Sequence, residues 1–182
     1  MQFGPLYVKD KTGAKIELRS AKTSDAVSLV DYLKKTTAET PYLIREPEEV
    51  TIGEEQERAF LQDKIDAERE LMLLAFADGK HIGNCSLMQI APYRRYAHRC
   101  DVAIAIYREY WGRGIGKILL ETVLDVAKTL GYEQAELEVM SKNRPAVALY
   151  ESLGFKKYGT FPTNMKYADG SYDDAFWMMK QL

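Results

Sequence analysis

The segment REYWGRGIGK, residues 108–117, has the residue types of a turn that binds phosphate. Gly112, Gly114 and Gly116 permit a tight turn and let an anion approach the backbone closely. A predicted helix begins at Ile115, directly after a predicted strand. The free N–H groups of its first turn and the positive end of its dipole would face the same anion. The spacing therefore predicts a phosphate cradle between a strand and a helix.

Two basic side chains in this segment, Arg113 and Lys117, add positive charge. The spacing excludes two familiar phosphate motifs. A dinucleotide fingerprint, GxGxxG, needs its third glycine where Lys117 stands. A P-loop needs Ser or Thr at the position of Ile118, and Trp111 stands where its first glycine belongs. A turn that only joins a strand to a helix stays open as the alternative.

A second segment, NRPAVALYESLGF at residues 143–155, is predicted to be a short helix. Asn143 fits the N-cap, and Pro145 falls in the first turn, where its missing N–H does no harm. Asn143, Ala146 and Tyr150 share one face because they are separated by three and four residues. This face carries one amide and one phenol side chain.

Together the two segments resemble the GNAT superfamily of N-acetyltransferases, which use acetyl-coenzyme A. The family's (Gln/Arg)-x-x-Gly-x-(Gly/Ala) loop resembles WGRGIG at residues 111–116, with Trp111 in place of Gln or Arg. Its Asn-x-x-Ala-x-x-Leu-Tyr-x-x-x-Gly-Phe segment is matched at Asn143, Ala146, Leu149, Tyr150, Gly154 and Phe155. The resemblance is strong over residues 71–182 and weaker over residues 1–70. It implies acetyl transfer from a thioester to an amine, by direct attack in a ternary complex.

The resemblance also implies how the chain would hold the coenzyme. The diphosphate would lie on the turn after the strand, at Arg113, Gly114, Ile115, Gly116 and Lys117. The pantetheine arm would pair with the edge of the strand 98–107, near Ile104, Ala105 and Ile106. A backbone N–H there, such as that of Ile106, would stabilise the thioester oxyanion. Asn143 would hydrogen-bond the coenzyme arm, on the face that it shares with Ala146 and Tyr150.

Tyr150 is the candidate general acid that protonates the departing thiolate. A tyrosine pKa of ~10 against a thiol pKa of ~8.5 makes this proton transfer uphill by roughly 2 kcal/mol. Because water can substitute as the donor, we expect loss of Tyr150 to slow the reaction rather than abolish it. A tyrosine that only packs in the core is the alternative.

His98 is the local candidate for the general base, because a histidine pKa suits proton transfer near neutrality. Members of the family often place a catalytic carboxylate near Cys100, and no carboxylate stands at that position. The alternatives are a water relay or one of Glu48, Glu49, Glu54 and Glu55. At pH 7 an α-amine costs only ~1 kcal/mol to deprotonate, whereas a lysine-like amine costs ~4.6 kcal/mol, so an α-amine needs only a weak base.

These segments require an α/β (α+β) fold, with a central twisted mixed sheet of about six to seven strands flanked by about four helices. Alternating polarity or apolar runs predict strands over residues 15–19, 71–77, 82–90, 98–107, 135–140, 156–161 and 175–180. Apolar residues at helical spacing predict helices over residues 25–35, 54–69 and 115–130, and a short one before Gly154. No linker or repeat separates these elements, so residues 1–182 are predicted to form one N-acetyltransferase domain.

The composition restricts the partners. Lys and Arg total 25 against 27 Asp and Glu, a net charge of −2, which disfavours nucleic-acid binding. No apolar run approaches a membrane span, and the N-terminus lacks an apolar signal core, so we expect a cytoplasmic protein without a membrane partner. The two cysteines lack metal-ligand spacing, so no metal is expected. A homodimer is considered because it is common in similar proteins.

The motifs report the acetyl donor and leave the acceptor open. The resemblance predicts a primary amine, either of a small molecule (an amino acid, a polyamine or an aminated antibiotic) or of a protein N-terminus. A non-catalytic acyl-CoA sensor would keep the phosphate turn and lose the chemistry. A nucleotide-binding protein would bind ATP or NAD in place of the coenzyme.

Overall fold

A computed structural model describes residues 1–182, and one eight-stranded sheet runs through it in the order β1-β2-β3-β4-β5-β6-β8-β7. The strands are β1 (Leu6–Lys9), β2 (Lys15–Ser20), β3 (Leu71–Ala77), β4 (Lys80–Gln89), β5 (Arg99–Ile106), β6 (Gln134–Met140), β7 (Lys156–Lys166) and β8 (Tyr172–Gln181). The helices are α1 (Ala26–Glu39), α2 (Glu54–Asp66), α3 (Ile115–Thr129) and α4 (Arg144–Ser152). Only β5 and β6 pair in parallel, and every other neighbouring pair is antiparallel.

Local sequence explains most of these elements. The β3–β4 hairpin turns at Asp78-Gly79, where both residues have positive φ, as a type I′ turn requires. The apolar stripe of α3 includes Leu119, Val123 and Ala127, all completely buried. These side chains join the strands in one continuous hydrophobic core, which fixes α3 against the centre of the sheet.

The predicted mixed sheet with flanking helices is confirmed, and the sheet has eight strands where the sequence predicts about six to seven. The additional strand is β1, which is only four residues long and largely exposed. An edge strand of this kind buries little apolar surface and so leaves little hydrophobic pattern in the sequence. No helix combines the length and apolar character needed to cross a membrane.

The parallel strands β5 and β6 separate soon after they meet. They pair only between residues 99–101 and 134–136, whereas β4 stays paired with β5 as far as Ile106. Residues 102–106 of β5 therefore have a neighbour on one side only. We call the opening beyond these residues the β5–β6 gap, and it is the feature around which the candidate site is built.

Candidate active site

The free edge of β5 presents backbone groups to the β5–β6 gap. Tyr107, just after the strand, donates its N–H to the carbonyl of Ile82, on the β4 side (2.9 Å). Because backbone groups of successive residues point alternately to the two sides of a strand, Ile104 and Ile106 face the gap. An extended chain placed in the gap could pair with these two residues as an added strand.

Two side chains refine the contacts expected along this edge. The carbonyl of Ala105 faces β4 and accepts the hydroxyl of Tyr32 (2.9 Å), so Ala105 offers the gap no backbone group. Trp111, which departs from the family motif, donates its indole N–H to the carbonyl of Ile106 (2.7 Å). The N–H of Ile106 stays directed into the gap, as an oxyanion donor must be.

The glycine turn after β5 leaves an unsatisfied helix N-terminus. Gly114 has φ +82°, a left-handed conformation that few side chains adopt, and it caps α3. The first helical bond runs from the N–H of Ile118 to the carbonyl of Gly114 (3.2 Å). The N–H groups of residues 115–117 therefore have no partner within the helix. Together with the helix dipole they have the arrangement that the predicted anion cradle requires.

The β1–β2 hairpin packs on this turn and neutralises one of its cations. The guanidinium of Arg113 bonds the Asp10 carboxylate through Nε (2.6 Å), and the backbone N–H of Lys11 bonds the carbonyl of Arg113 (2.9 Å). The Thr12 hydroxyl and the Arg113 guanidinium hold the pKa of Asp10 at about 2. The side chain of Arg113, predicted to attract phosphate, is thus committed to holding the hairpin in place.

Lys11 is a candidate donor-site residue that the sequence does not reveal. A Cβ placed on Gly114 would lie 3.1 Å from its Cγ, so the lysine side chain crosses the turn. Lys117, at the other side, makes only a long, half-exposed pair with Glu121 (3.8 Å). These two ammonium groups are available to an anion. No local pattern links Lys11 to the turn, because only folding brings the hairpin there.

Gly116 serves packing more than phosphate binding. A Cβ on Gly116 would lie 3.2 Å from the Leu149 side chain of α4 and close to Ile104 and Ile106 of β5. The glycine therefore lets α3 and α4 approach the strand on the face that carries these two isoleucines. This close approach fixes where α4 presents its polar side chains.

The two polar groups predicted on α4 lie on the same helix. Asn143 caps it, since its Oδ1 accepts the N–H of Ala146 (3.3 Å), and this leaves the amide N–H₂ free to donate. Tyr150 is only 6% exposed, yet its hydroxyl bonds no protein group and is not sealed from solvent. Burial, with smaller contributions from Cys85 and Asp101, raises the pKa of Tyr150. The phenol therefore keeps its proton at neutral pH.

Three carboxylates lie on the opposite face at the mouth of the gap. Asp101 pairs in register with Glu136, and Glu138 follows on the same face of β6. Burial, reinforced by the charges of Glu136 and Glu138, raises the pKa of Asp101 to about 6. Arg99 bonds Glu136 and lowers its pKa, so that carboxylate is a poor base. Sequence reasoning missed this cluster, although Asp101 directly follows Cys100.

Glu138 is held in place by two uncharged donors. The indole N–H of Trp177 bonds one carboxylate oxygen (2.8 Å), and the amide of Asn164 bonds the other (3.0 Å). The Glu138 side chain is otherwise exposed. It is therefore a fixed negative charge beside the gap, able to receive a cation from solvent.

His98 lies close enough to Glu136 for its charge to help lower the pKa of that carboxyl, but it stands three residues before Asp101 and so further from the β5–β6 gap. It is an exposed residue just before β5, and its carbonyl accepts the N–H groups of Glu133 and Gln134 (2.8 and 3.1 Å). An extended strand separates it from Ile104 by ~20 Å. The alternative carboxylates Glu48, Glu49, Glu54 and Glu55 lie exposed between α1 and the first turn of α2. The geometry thus favours Asp101 over these residues as the base.

The two cysteines offer no reactive thiolate at this site. Cys85 and Cys100 are free and buried, and burial raises the pKa of both thiols, that of Cys100 to about 12. A thiol that keeps its proton is a weak nucleophile. No three His, Cys, Asp or Glu side chains are grouped closely enough to hold a metal ion.

Comparison with protein families identifies one match over the central part of the chain. The model described as the acetyltransferase (GNAT) family matches residues 37–155, well over half of the chain. An N-alpha-acetyltransferase of Sulfurisphaera tokodaii is 28% identical over 178 residues, which cover 97% of this chain and 99% of that protein.

Solved structures share the same fold. The crystal structure of an acetyltransferase of the GNAT family from Streptococcus pneumoniae matches with a TM-score of 0.87 and 28% identity, covering 92% of this chain and 99% of that one. A GNAT superfamily phosphinothricin acetyltransferase from Sinorhizobium meliloti, crystallised in complex with acetyl-CoA, has a TM-score of 0.81 and 20% identity. It covers 92% of this chain and 88% of its own, and at that identity the likeness concerns the fold.

Proposed function

This chain belongs to the acetyltransferase (GNAT) family and is an N-acetyltransferase, and from that premise we propose that it acetylates the α-amine of a protein N-terminus with acetyl-coenzyme A. The observation that carries the choice of acceptor is the placement of Asp101 where β5 and β6 separate, in register with Glu136, where burial and charge raise its pKa to about 6. The similarity to an N-alpha-acetyltransferase over nearly its whole length supports the same choice.

The donor site fits acetyl-coenzyme A on three observations. The unpaired N–H groups of residues 115–117, beside Lys11 and Lys117, suit a diphosphate. The backbone of Ile104 and the N–H of Ile106, on the unpaired edge of β5, suit the amides of the pantetheine arm, and the free amide of Asn143 can donate to that arm. When bound, acetyl-coenzyme A supplies the acetyl group as a thioester.

Asp101 takes the proton from the acceptor amine in this proposal. An α-amine of pKa ~7.7 gives its proton to a carboxylate of pKa about 6 at a cost of roughly 2 kcal/mol, whereas a lysine amine of pKa ~10.4 costs roughly 6 kcal/mol. Glu138, fixed beside the gap, holds the ammonium before deprotonation. A base of this strength is sufficient for an α-amine but leaves a lysine side chain almost entirely protonated.

Tyr150 acts from the face of the sheet opposite to Asp101, and the β5 backbone lies between them. α4 packs on the face that carries the Ile104 and Ile106 side chains, whereas Asp101 lies on the opposite face. In this proposal a gap-facing backbone N–H of β5 donates to the negative charge that develops on the carbonyl oxygen. The raised pKa of Tyr150 makes full proton transfer costlier than the roughly 2 kcal/mol of an ordinary tyrosine. The phenol therefore acts mainly as a hydrogen-bond donor toward the leaving sulfur.

A panel of amines tests this proposal. The enzyme is incubated with acetyl-coenzyme A and, separately, with peptides bearing a free N-terminus, N-terminally blocked peptides bearing a lysine, free amino acids and polyamines. Thiol release and product mass are followed. We expect turnover with free N-termini and at least tenfold less with blocked peptides. Faster turnover of an amino acid or a polyamine would contradict the proposed acceptor and identify that compound as the better one. Coenzyme binding without turnover of any amine would indicate a sensor.

A further inference from the structure

Three aromatic side chains form an exposed shelf on the outer strands of the sheet. Tyr158, Phe161 and Trp177 are 56%, 45% and 37% exposed, although aromatic rings of this size normally bury most of their surface. The ring of Trp177 lies between the other two, with its centroid 6.3 Å from Tyr158 and 5.8 Å from Phe161. We call these three residues the aromatic shelf.

The backbone of β7 leaves room for the indole ring of Trp177 to lie against the strand. Gly159 pairs in register with Trp177, and a Cβ on this glycine would lie 3.0 Å from the indole ring. A glycine inside a strand costs stability and marks a close approach of another group. The register shifts between Lys157 and Gly159, so Tyr158 is an extra residue in β7. Such a bulge redirects a side chain, here toward the shelf.

A second irregularity connects the shelf to the carboxylates. The β7–β8 register shifts again between Phe161 and Met165, where Thr163 has φ +50°. This strained bend brings the amide of Asn164 to Glu138, while the shelf residue Trp177 bonds the same carboxylate. Glu138 is therefore the shared boundary of the aromatic shelf and the β5–β6 gap.

We propose that the aromatic shelf binds the side chain of the acceptor's first residue, and that this side chain is large and apolar. The inference rests on the proposed function and names its substrate class. An α-ammonium held by Glu138 at the edge of the gap places the adjoining side chain next to Trp177. An apolar side chain that packs on the three rings removes apolar surface from water. This burial adds affinity beyond that of the contact between the ammonium and Glu138.

Charge makes the proposed selectivity sharper. An aspartate or glutamate in the first position would bring a negative charge toward Glu138 and Asp101; Glu136 is paired with Arg99, yet its charge and that of Glu138 still raise the pKa of Asp101. The burial and charge that raise the pKa of Tyr158 come from the same surroundings, since Glu136, Asp101 and Glu138 all act on its phenol. Acidic first residues are therefore excluded, and glycine gains nothing from the shelf.

Peptides that differ only in the first residue test the inference. We expect kcat/KM to be about tenfold or more higher for first-position Leu, Met or Phe than for Gly, and lowest for Asp or Glu. Tyr158→Ala and Phe161→Ala leave the Trp177–Glu138 hydrogen bond in place. Each should reduce the ratio of kcat/KM for first-position Leu to kcat/KM for first-position Gly about tenfold. Tyr7→Ala, an equally exposed tyrosine on the far edge of the sheet, is the matched control and should keep the ratio.

The outcomes separate this inference from the proposed function. Acetylation of all free N-termini at similar kcat/KM, or a ratio that Tyr158→Ala and Phe161→Ala leave unchanged, overturns the aromatic shelf as a side-chain site while the proposed function stands. Absence of α-amine acetylation with every peptide overturns the proposed function itself. Thermal unfolding of each variant shows that the comparison is made on folded protein.

Discussion

At the scale of single residues, Asp101 carries a charge that the folded chain disfavours. Burial and the two neighbouring glutamates raise its pKa to about 6, well above the value of 3.8 for a free aspartate. The Asp101 carboxyl therefore holds its proton more tightly in the folded state than in the unfolded state. Its ionisation costs stability as the pH rises from about 4 to 6, and the cost is fully present above pH 6. A carboxylate that weakens the fold in this way is expected where function requires it.

Asp101→Asn should therefore have opposite effects on stability and turnover. The free energy of unfolding should rise by up to about 3 kcal/mol above pH 7 and be unchanged below pH 4, because only the ionised aspartate is penalised. Turnover should fall about 100-fold or more, and the rise in rate near pH 6 should disappear from the pH–rate profile. Denaturant unfolding and pH–rate profiles measure the two effects, with Asp125→Asn on α3 as control. Normal turnover with the limb intact would remove Asp101 as the base.

Tyr150→Phe isolates the phenol hydroxyl, because the ring stays in its buried position. Turnover should fall about tenfold to 100-fold, and the dissociation constant of acetyl-coenzyme A should change less than threefold. Single-turnover kinetics and calorimetry give the two numbers. Phe155, which packs edge-on against Tyr150, offers a control variant, Phe155→Leu, that alters packing without removing a hydroxyl. Equal turnover in Tyr150→Phe and the native enzyme would assign Tyr150 to the core alone.

At the scale of elements, the turn before α3 and the turn after it contain glycines in the same conformation. Gly114 and Gly131 have φ of +82° and +78°, so an alanine strains each backbone by about 1–2 kcal/mol. Only Gly114 lies in the anion cradle, with Lys11 across it. Gly114→Ala should weaken coenzyme binding at least tenfold, whereas Gly131→Ala should only lower stability. Calorimetric titration with acetyl-coenzyme A checks this, and equal affinities in the two variants would contradict the cradle.

At the scale of the whole molecule, the buried histidine His81 makes the free energy of unfolding depend on pH in the acid range. His81 is 5% exposed, its Nε2 bonds the carbonyl of Gly83 (3.1 Å), and its Nδ1 has no partner. Burial lowers the pKa of His81, so below about pH 6.5 the unfolded chain takes up a proton that the folded chain refuses. The contribution of His81 to stability is therefore lost as the pH falls through this range.

Replacing each histidine separately tests this effect. His81→Phe should remain folded between its neighbours Tyr32 and Phe76 and should lose less stability than the native chain between pH 6.5 and 5. His98→Gln, at an exposed position, serves as the control substitution. Melting temperatures over this pH range decide the matter, and parallel curves for all three proteins would contradict a neutral buried His81.

The residues that the sequence identifies correctly are those whose partners lie nearby in the chain. The turn at Gly114, the start of α3 and the Asn143 cap all depend on backbone conformation and hydrogen bonds within a few residues, so type and spacing are enough to predict them. The mixed sheet with helices also follows from local periodicity. The family resemblance adds the coenzyme to this picture but not the acceptor.

The proposed acceptor site depends on tertiary structure alone. Asp101 and Glu138 meet because β5 and β6 run in parallel and then separate, and the aromatic shelf reaches them because β8 inserts between β6 and β7. Lys11 and the Arg113–Asp10 bond likewise depend on a hairpin from the opposite end of the chain. Strand order, register and the face that a side chain occupies arise from the packing of distant segments, and a bulge of one residue changes both the register and the face. No local spacing in the sequence encodes these contacts.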